Sequence, residues 1–355
     1  MNHQNWVGHN DPKLGYGSML DGFKTAAPKT VVFTDKASVS VHMQVPEAVK
    51  GWWRDAHRVL FTMWETDTMP DRFKPWLNQF DQILVPCEDN VELFSPYHPV
   101  VRHVPLGVDT KFWCAQPKQP GPYRFHAGGS LWKRKGLDVV VQAFKNLRLA
   151  DAELHIKAAP HAFDAPTGRL GDNIFVNRNW MTRTEQRDWY AQADCFVAPA
   201  RGEGFGLMPL QAISMGIPTI VSASTGQKQF AHLATGVVGC RKSRAETCGH
   251  WDEPSLAELE EQMMRHYTDR LTVPSGVQQF SWTASTKKLV AAVPKGDVLD
   301  TDEWVLPEVD VRVKALRTVN ATVGKETYRF KTGEEGKVPL GVFEVLSGSG
   351  ALEVL

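Results

Sequence analysis

Paired cysteines are missing from this sequence. Its 355 residues include five cysteines (Cys87, Cys114, Cys195, Cys240 and Cys248), odd in number, widely spaced and without a Cys-x-x-Cys pair. That spacing argues against a disulfide framework and against a zinc site, and it suits a reducing cytoplasm. An excess of charge is missing as well. Lys+Arg and Asp+Glu both number 40, so the chain is not the polycation that binds nucleic acid non-specifically. No apolar run approaches the roughly 20 residues that span a bilayer. The opening "MNHQNWVGHN" is polar and lacks the apolar core of a secretion signal. Trp52-Trp53 beside Arg54 could touch a membrane surface, although buried or scattered tryptophans are the commoner use of such residues.

What is present is ordinary soluble composition, 42% hydrophobic and 23% charged, in a chain long enough for two domains. Residues 1–113 carry 11 basic and 13 acidic side chains, residues 114–299 carry 22 and 17, and the last 56 carry 7 and 10. The mildly positive middle suits an anionic ligand. Strand-like runs alternate with helical patterns, the mark of α/β architecture with parallel sheets. "TVVFT", "RVLFTMW", "QILVP" and "VVRHVP" predict strands in residues 1–113, and "YGSMLDGFKTAA" predicts a helix entered through a turn at Gly15–Gly17. The Pro-rich "CAQPKQPGP" (114–122) predicts a linker. A second series occupies 123–277, with Thr182 and Glu185 as a capping box for a helix at 183–193. Residues 278–296 follow it, and 297–355, with short runs broken by Gly-rich turns, predict a small β-rich module. Two Rossmann-like domains joined by a linker imply a ligand cleft between them, at the carboxyl ends of their strands.

Two glycine-rich loops stand out. "HAGGSLWKRKG" follows a predicted strand and precedes a predicted helix: Gly128 and Gly129 allow close backbone approach, while Lys133, Arg134 and Lys135 supply charge for a phosphate or diphosphate. It is neither a P-loop nor a dinucleotide fingerprint. A plain glycine turn with a solvated basic rim remains the alternative on these residues alone. "GEGFGLMPL" repeats the form, with Glu203 ahead of Gly204, Phe205 and Gly206, and helix-start amides near Leu207 for a second anionic contact. Gln211, in an otherwise apolar run, needs a partner, either a ligand's hydroxyls or a backbone group.

These residues resemble the signature of the family 4 retaining glycosyltransferases, which have the GT-B fold. "PARGEGFGLMPLQAISMGIPTIVSASTG" is similar to the family's glutamate–Gly-Phe-Gly motif, with Glu203 in the first glutamate position and Gln211 in the second, eight residues on. "GGSLWKRKGLDVVVQAF" resembles its diphosphate loop, with Lys135 matching the lysine and Ser130 standing where arginine is usual. "VPLGVDTKFW", "FTMWETDTMP", "GHWDEPSLAEL" and "FSWTASTKKL" match further segments in the right order, over roughly residues 10–293. The resemblance implies a nucleotide-sugar in the cleft, UDP- or GDP-linked. Lys135 and Arg134, with the amides near Phe205 and Gly206, would stabilise the leaving diphosphate. Glu203 would orient the sugar, and Gln211 would make a weakened ribose contact. Glu65 and the Gly15–Gly17 turn would lie on the acceptor side, and 278–296 would cross back to the first domain. It also implies retention of configuration with neither a metal nor a separate cofactor. The C-terminal module resembles small modules of bacteriophage proteins, which would make hydroxymethylated DNA bases or virion protein the hydroxyl acceptor and a host cytoplasm the setting. Cell-envelope glycans or lipids are the alternative acceptors. A phosphorylase or epimerase of the same fold, or a non-catalytic nucleotide-sugar-binding homologue, are the alternative functions.

Overall fold

Two parallel sheets carry the fold, described by a computed structural model for residues 1–9, 11, 15–130, 132–160, 165–274, 276–316, 318–323, 326–347 and 351–354. The chain opens with β1 (Asn2–Gly8), α1 (Gly15–Thr25), β2 (Val31–Phe33), β3 (Val39–Met43), the short β4 (Trp52–Trp53), β5 (His57–Phe61), α2 (Lys74–Leu77), β6 (Gln82–Val85), α3 (Glu88–Phe94) and β7 (Val101–His103). Apart from β4, these strands form one parallel sheet in the order β2-β1-β3-β5-β6-β7. Strands β1 and β3 go beyond those expected from the sequence. In β1 the inward positions include polar residues that satisfy one another: Gln4 Nε2 donates to Asn2 Oδ1 (3.1 Å) and Trp6 Nε1 to Gln4 Oε1 (2.6 Å). A buried polar ladder inverts the alternation by which a strand is recognised.

Residues 114–122 hold neither helix nor strand. Beyond them come β8 (Tyr123–Gly129), α4 (Leu137–Leu147), β9 (Ala152–Ala158), β10 (Gly168–Gly171), β11 (Ile174–Asn177), α5 (Arg183–Ala191), β12 (Cys195–Ala198), α6 (Leu207–Ser214), β13 (Thr219–Ser222) and β14 (Gly236–Val238). The hairpin β15 (Cys240–Arg244) and β16 (His250–Pro254) and helix α7 (Leu256–Asp269) complete this part. The second sheet runs β10-β11-β9-β8-β12-β13-β14, parallel except for the antiparallel edge strand β10. Strand order reverses between β8 and β12, so a crevice opens at their carboxyl ends, and both glycine-rich loops leave from there. Thr182 and Glu185 form the capping box of α5.

Helix α8 (Trp282–Ala292) packs on the first domain. Gly22 of α1 is required there, because a Cβ would overlap the Trp282 indole. One apolar cluster joins Trp6, Phe23 and Phe61 of the first domain to Tyr190, Phe205 and Phe230 of the second.

Residues 296–305 remain attached to the first domain rather than opening a separate module at 297. His3 and Ser38 donate backbone hydrogen bonds to Gly296 and Asp297, and β17 (Trp304–Val305) pairs with β4. Trp52 is buried against Phe80, and the half-buried Trp53 meets Trp304 edge-to-face at 5.2 Å, so this pair packs within the protein. Among the described residues no helix is long and apolar enough to cross a membrane. The remainder is β18 (Asp310–Ala315), the hairpin β19 (Val319–Val323) and β20 (Glu326–Phe330), β21 (Glu335–Pro339), α9 (Leu340–Ser347) and β22 (Leu352–Val354). Strands β21-β18-β22 form a small antiparallel sheet. Helix α9 is the one helix within the β-rich texture expected among the described residues, since a short apolar run fits either periodicity and packing on the sheet decides.

Candidate active site

The two glycine-rich loops meet. The loop after β8 carries Arg134 and Lys135, and the loop after β12 carries Glu203, whose carboxylate pairs directly with the Lys135 ammonium. Arg134 Nη1 donates to the Gly202 carbonyl at 2.8 Å and lies 3.9 Å from Glu203 Oε2. From the first domain, Glu65 reaches the same guanidinium, 3.4 Å from Arg134 Nη1. Two cations and two carboxylates thus converge, three of them from the second domain and Glu65 from the first, largely removed from water. Burial is the main cause lowering the pKa of Lys135, opposed by the neighbouring Glu203 charge.

Local chain geometry explains the placement. Gly129 is needed because the aliphatic stem of Lys135 lies against it, where a Cβ would overlap the Lys135 Cγ. Gly128 faces Met208 of α6 and the Lys157 carbonyl. Neither position has room for a side chain, so glycine at both is explained by packing within the protein as well as by close backbone approach. Ser130 follows at the strand end, half-buried. Gly206 caps α6 in the left-handed region (φ +104°), which turns the chain so that the amides of the first helical residues, starting at Leu207, end at the crevice. The Phe205 ring goes the other way, into the core against Phe230 and Phe280. The Glu203 backbone is pinned on both sides: its N–H donates to Thr225 Oγ1 (2.8 Å) and its carbonyl accepts from Gly226 N–H (2.9 Å).

Gln211 stands apart from the charged cluster. The Tyr190 hydroxyl donates to it, 3.3 Å from Gln211 Oε1 and 3.1 Å from the Met208 carbonyl, a side-chain partner in place of the backbone group expected. Gly15 and Gly17 form the first turn of α1 and not a separate turn. Between them Tyr16 reaches back to the loop after β5, its hydroxyl accepting from Met63 N–H (3.2 Å) and lying 3.1 Å from Thr62 Oγ1. Asn90 brackets the same loop, accepting from Trp64 N–H and donating to its carbonyl, each at 2.8 Å. Glu65 is the next residue. The sequence reading missed Tyr16, Asn90, Thr225 and Arg201. Arg201 alone carried a signal, a bulky cation inside the most informative motif.

The domains close tightly over this site. Gly202 lies so near the first domain that a Cβ would overlap the Glu65 carbonyl oxygen, and Gly204 rests on Met63. Ion pairs Asp89–Lys228 (2.7 Å) and Asp67–Lys242 (3.7 Å) span the cleft, and Asp67 accepts from His250 N–H at 2.8 Å.

Comparison with known proteins agrees with this architecture. Residues 123–247 match the family described as glycosyl transferases group 1. The chain is 31% identical over 165 residues to a GDP-mannose-dependent monoacylated alpha-(1-6)-phosphatidylinositol monomannoside mannosyltransferase of Corynebacterium glutamicum, covering 40% of this chain and 43% of that protein. It is 49% identical over 68 residues to the lipopolysaccharide core biosynthesis mannosyltransferase LpsB of Rhizobium meliloti, covering 19% and 17%. The chain therefore spans less than half the length of the curated relatives it matches. Among solved structures, the glycosyltransferase WaaG, involved in lipopolysaccharide biosynthesis, superposes with a TM-score of 0.51 at 15% identity, covering 86% of this chain and 97% of that one. The fold is GT-B, and residues 123–247 of its second domain match the group 1 glycosyltransferase family model.

Proposed function

We propose that this chain is a retaining glycosyltransferase that moves a sugar, mannose in the first instance, from a GDP-linked donor to a hydroxyl acceptor of the cell envelope. One observation carries the reading: Lys135 and Arg134 converge with Glu203 and Glu65 at the switch-point crevice, beside the amino end of α6. Such an arrangement places positive charge where a departing diphosphate gains negative charge, a term commonly worth about 3–4 kcal/mol per donor. The donor's C1–O bond to the diphosphate breaks while the acceptor oxygen bonds C1 on the same face. The acceptor's proton leaves with the diphosphate. Glu203, released from Lys135 by the incoming anion, orients the sugar hydroxyls, and Glu65 faces the acceptor. Positive charge at the leaving group comes from side chains, so the reading requires no metal.

Donor and acceptor follow the relatives' names, GDP-mannose-dependent in one and lipopolysaccharide core in another. They favour an envelope acceptor over modified DNA bases or virion protein, and the balanced net charge separately disfavours DNA. The test is incubation with GDP-mannose, UDP-glucose and UDP-N-acetylglucosamine, each with envelope lipid extract, and analysis of released nucleotide and product. GDP release with an α-linked mannosyl product supports the proposal. Release of UDP alone moves the donor, and release of neither overturns the activity.

A further inference from the structure

Arg201 lies two residues before Glu203, is only 8% exposed, and uses every donor of its guanidinium. Nη1 and Nη2 grip the Asp138 carboxylate at 2.7 and 2.9 Å, and Nε and Nη2 grip Glu253 at 2.5 and 2.8 Å. The remaining Nη1 hydrogen goes to the Lys133 carbonyl, and the Arg201 backbone N–H donates to the Arg134 carbonyl at 2.8 Å. Its own carbonyl accepts from Asp252 N–H (2.9 Å) and Ser224 Oγ (3.3 Å).

The partners belong to three segments, which are also tied by Lys133–Glu246 (2.7 Å) and by Arg134 on the Gly202 carbonyl, but Arg201 is the side chain that meets both the α4 segment and the hairpin through charged forks. Lys133, Arg134 and Asp138 flank Lys135 in the loop and first turn of α4. Asp252 and Glu253 lie on the hairpin whose Lys242 and His250 reach the first domain through Asp67. Arg201 itself leads into Glu203. We infer that Arg201 is a positioning residue that sets Lys135 against Glu203, and through them fixes the seat of the donor's diphosphate. This rests on the reading of the site given above.

The physical argument is rigidity. A bidentate fork fixes angle as well as distance, which an ammonium group cannot do. Lys135 has a flexible four-carbon stem, and its ammonium position depends on where the backbone at 133–138 stands. Three anchor points within six residues, all on one side chain and its own amide, define that backbone relative to Glu203. Lysine at 201 keeps the charge between Asp138 and Glu253 but loses the fork.

The experiment is a double-mutant cycle on GDP affinity by calorimetry, in the full chain, with Arg201→Lys, Lys135→Ala and the double variant. GMP serves as a second probe, and melting curves fix a temperature at which all forms are folded. The expected result is about tenfold weaker GDP binding in Arg201→Lys, the scale of losing one or two charge-assisted hydrogen bonds. GMP binding changes little, and the GDP effect vanishes once Lys135 is already alanine. If Lys135→Ala weakens GDP binding but Arg201→Lys is neutral or simply additive, Arg201 is only a structural rivet and the inference fails. If Lys135→Ala leaves GDP affinity unchanged, the reading of the site and the inference fall together. Asp138→Asn severs one fork while leaving Arg201 paired with Glu253, and it carries the same test should Arg201→Lys not fold.

Discussion

The two walls of the cleft are built on opposite principles. On the second domain, the wall is made of charge held by charge: Lys135 on Glu203, and Arg201 between Asp138 and Glu253. On the first domain it is made of a loop held by neutral hydrogen bonds, Tyr16 and Asn90 bracketing residues 62–64, with Glu65 as its contribution to the cluster. Under the proposed function, the charged wall would hold the diphosphate common to all nucleotide-sugars and can be fixed and generic, while the neutral wall would meet an acceptor that differs between substrates. The difference teaches where each kind of mutation should act.

The largest effect belongs to the charged wall. Lys135→Ala should lower turnover by about 10²–10³, the range for removing one donor from a developing anion, with the fold retained by circular dichroism. Near-normal transfer would remove Lys135 from the site.

Closure comes next. Gly202→Ala forces a methyl against a main-chain oxygen of the other domain, which cannot step aside, and should raise KM by about tenfold, on the order of 1–3 kcal/mol for overpacking. Gly204→Ala meets the flexible Met63 side chain and should cost several-fold less. Equal effects in steady-state kinetics would show that the closed arrangement is not the working one.

Asn90→Ala should raise KM for the acceptor more than for the donor, because it loosens Trp64 and, of the cations, reaches only Arg134 through Glu65. A matching rise for the donor would erase the distinction between the walls. Gln211→Glu should be close to neutral in nucleotide affinity, since the Tyr190 hydroxyl can donate to a carboxylate as to an amide. Loss of binding there would mean that the pocket depends on a neutral side chain. Smallest of all, Thr182→Ala should cost about 1 kcal/mol of stability through loss of the α5 cap, read in urea melts with activity unchanged.

The second domain was legible in sequence because its signals are local. Residues 128–138 and residues 198–211 each combine strand end, glycine turn and helix start in about a dozen residues. The first domain was less so. The polar interior of β1 hid a strand, and the bracketing of Trp64 by Asn90 joins positions 26 residues apart that no spacing rule connects. Gln211 shows a third kind of limit. Its need for a partner could be read from the apolar run around it, but the partner, Tyr190, comes from another helix and only packing reveals it.

The most direct measurement is calorimetric titration of the wild-type chain with GDP, UDP, GMP and UMP at low salt. The account predicts that for one base the diphosphate binds at least about tenfold more tightly than the monophosphate, because the second phosphate reaches Lys135 and Arg134. Equal affinity for mono- and diphosphates, or no binding of any of the four, would contradict it.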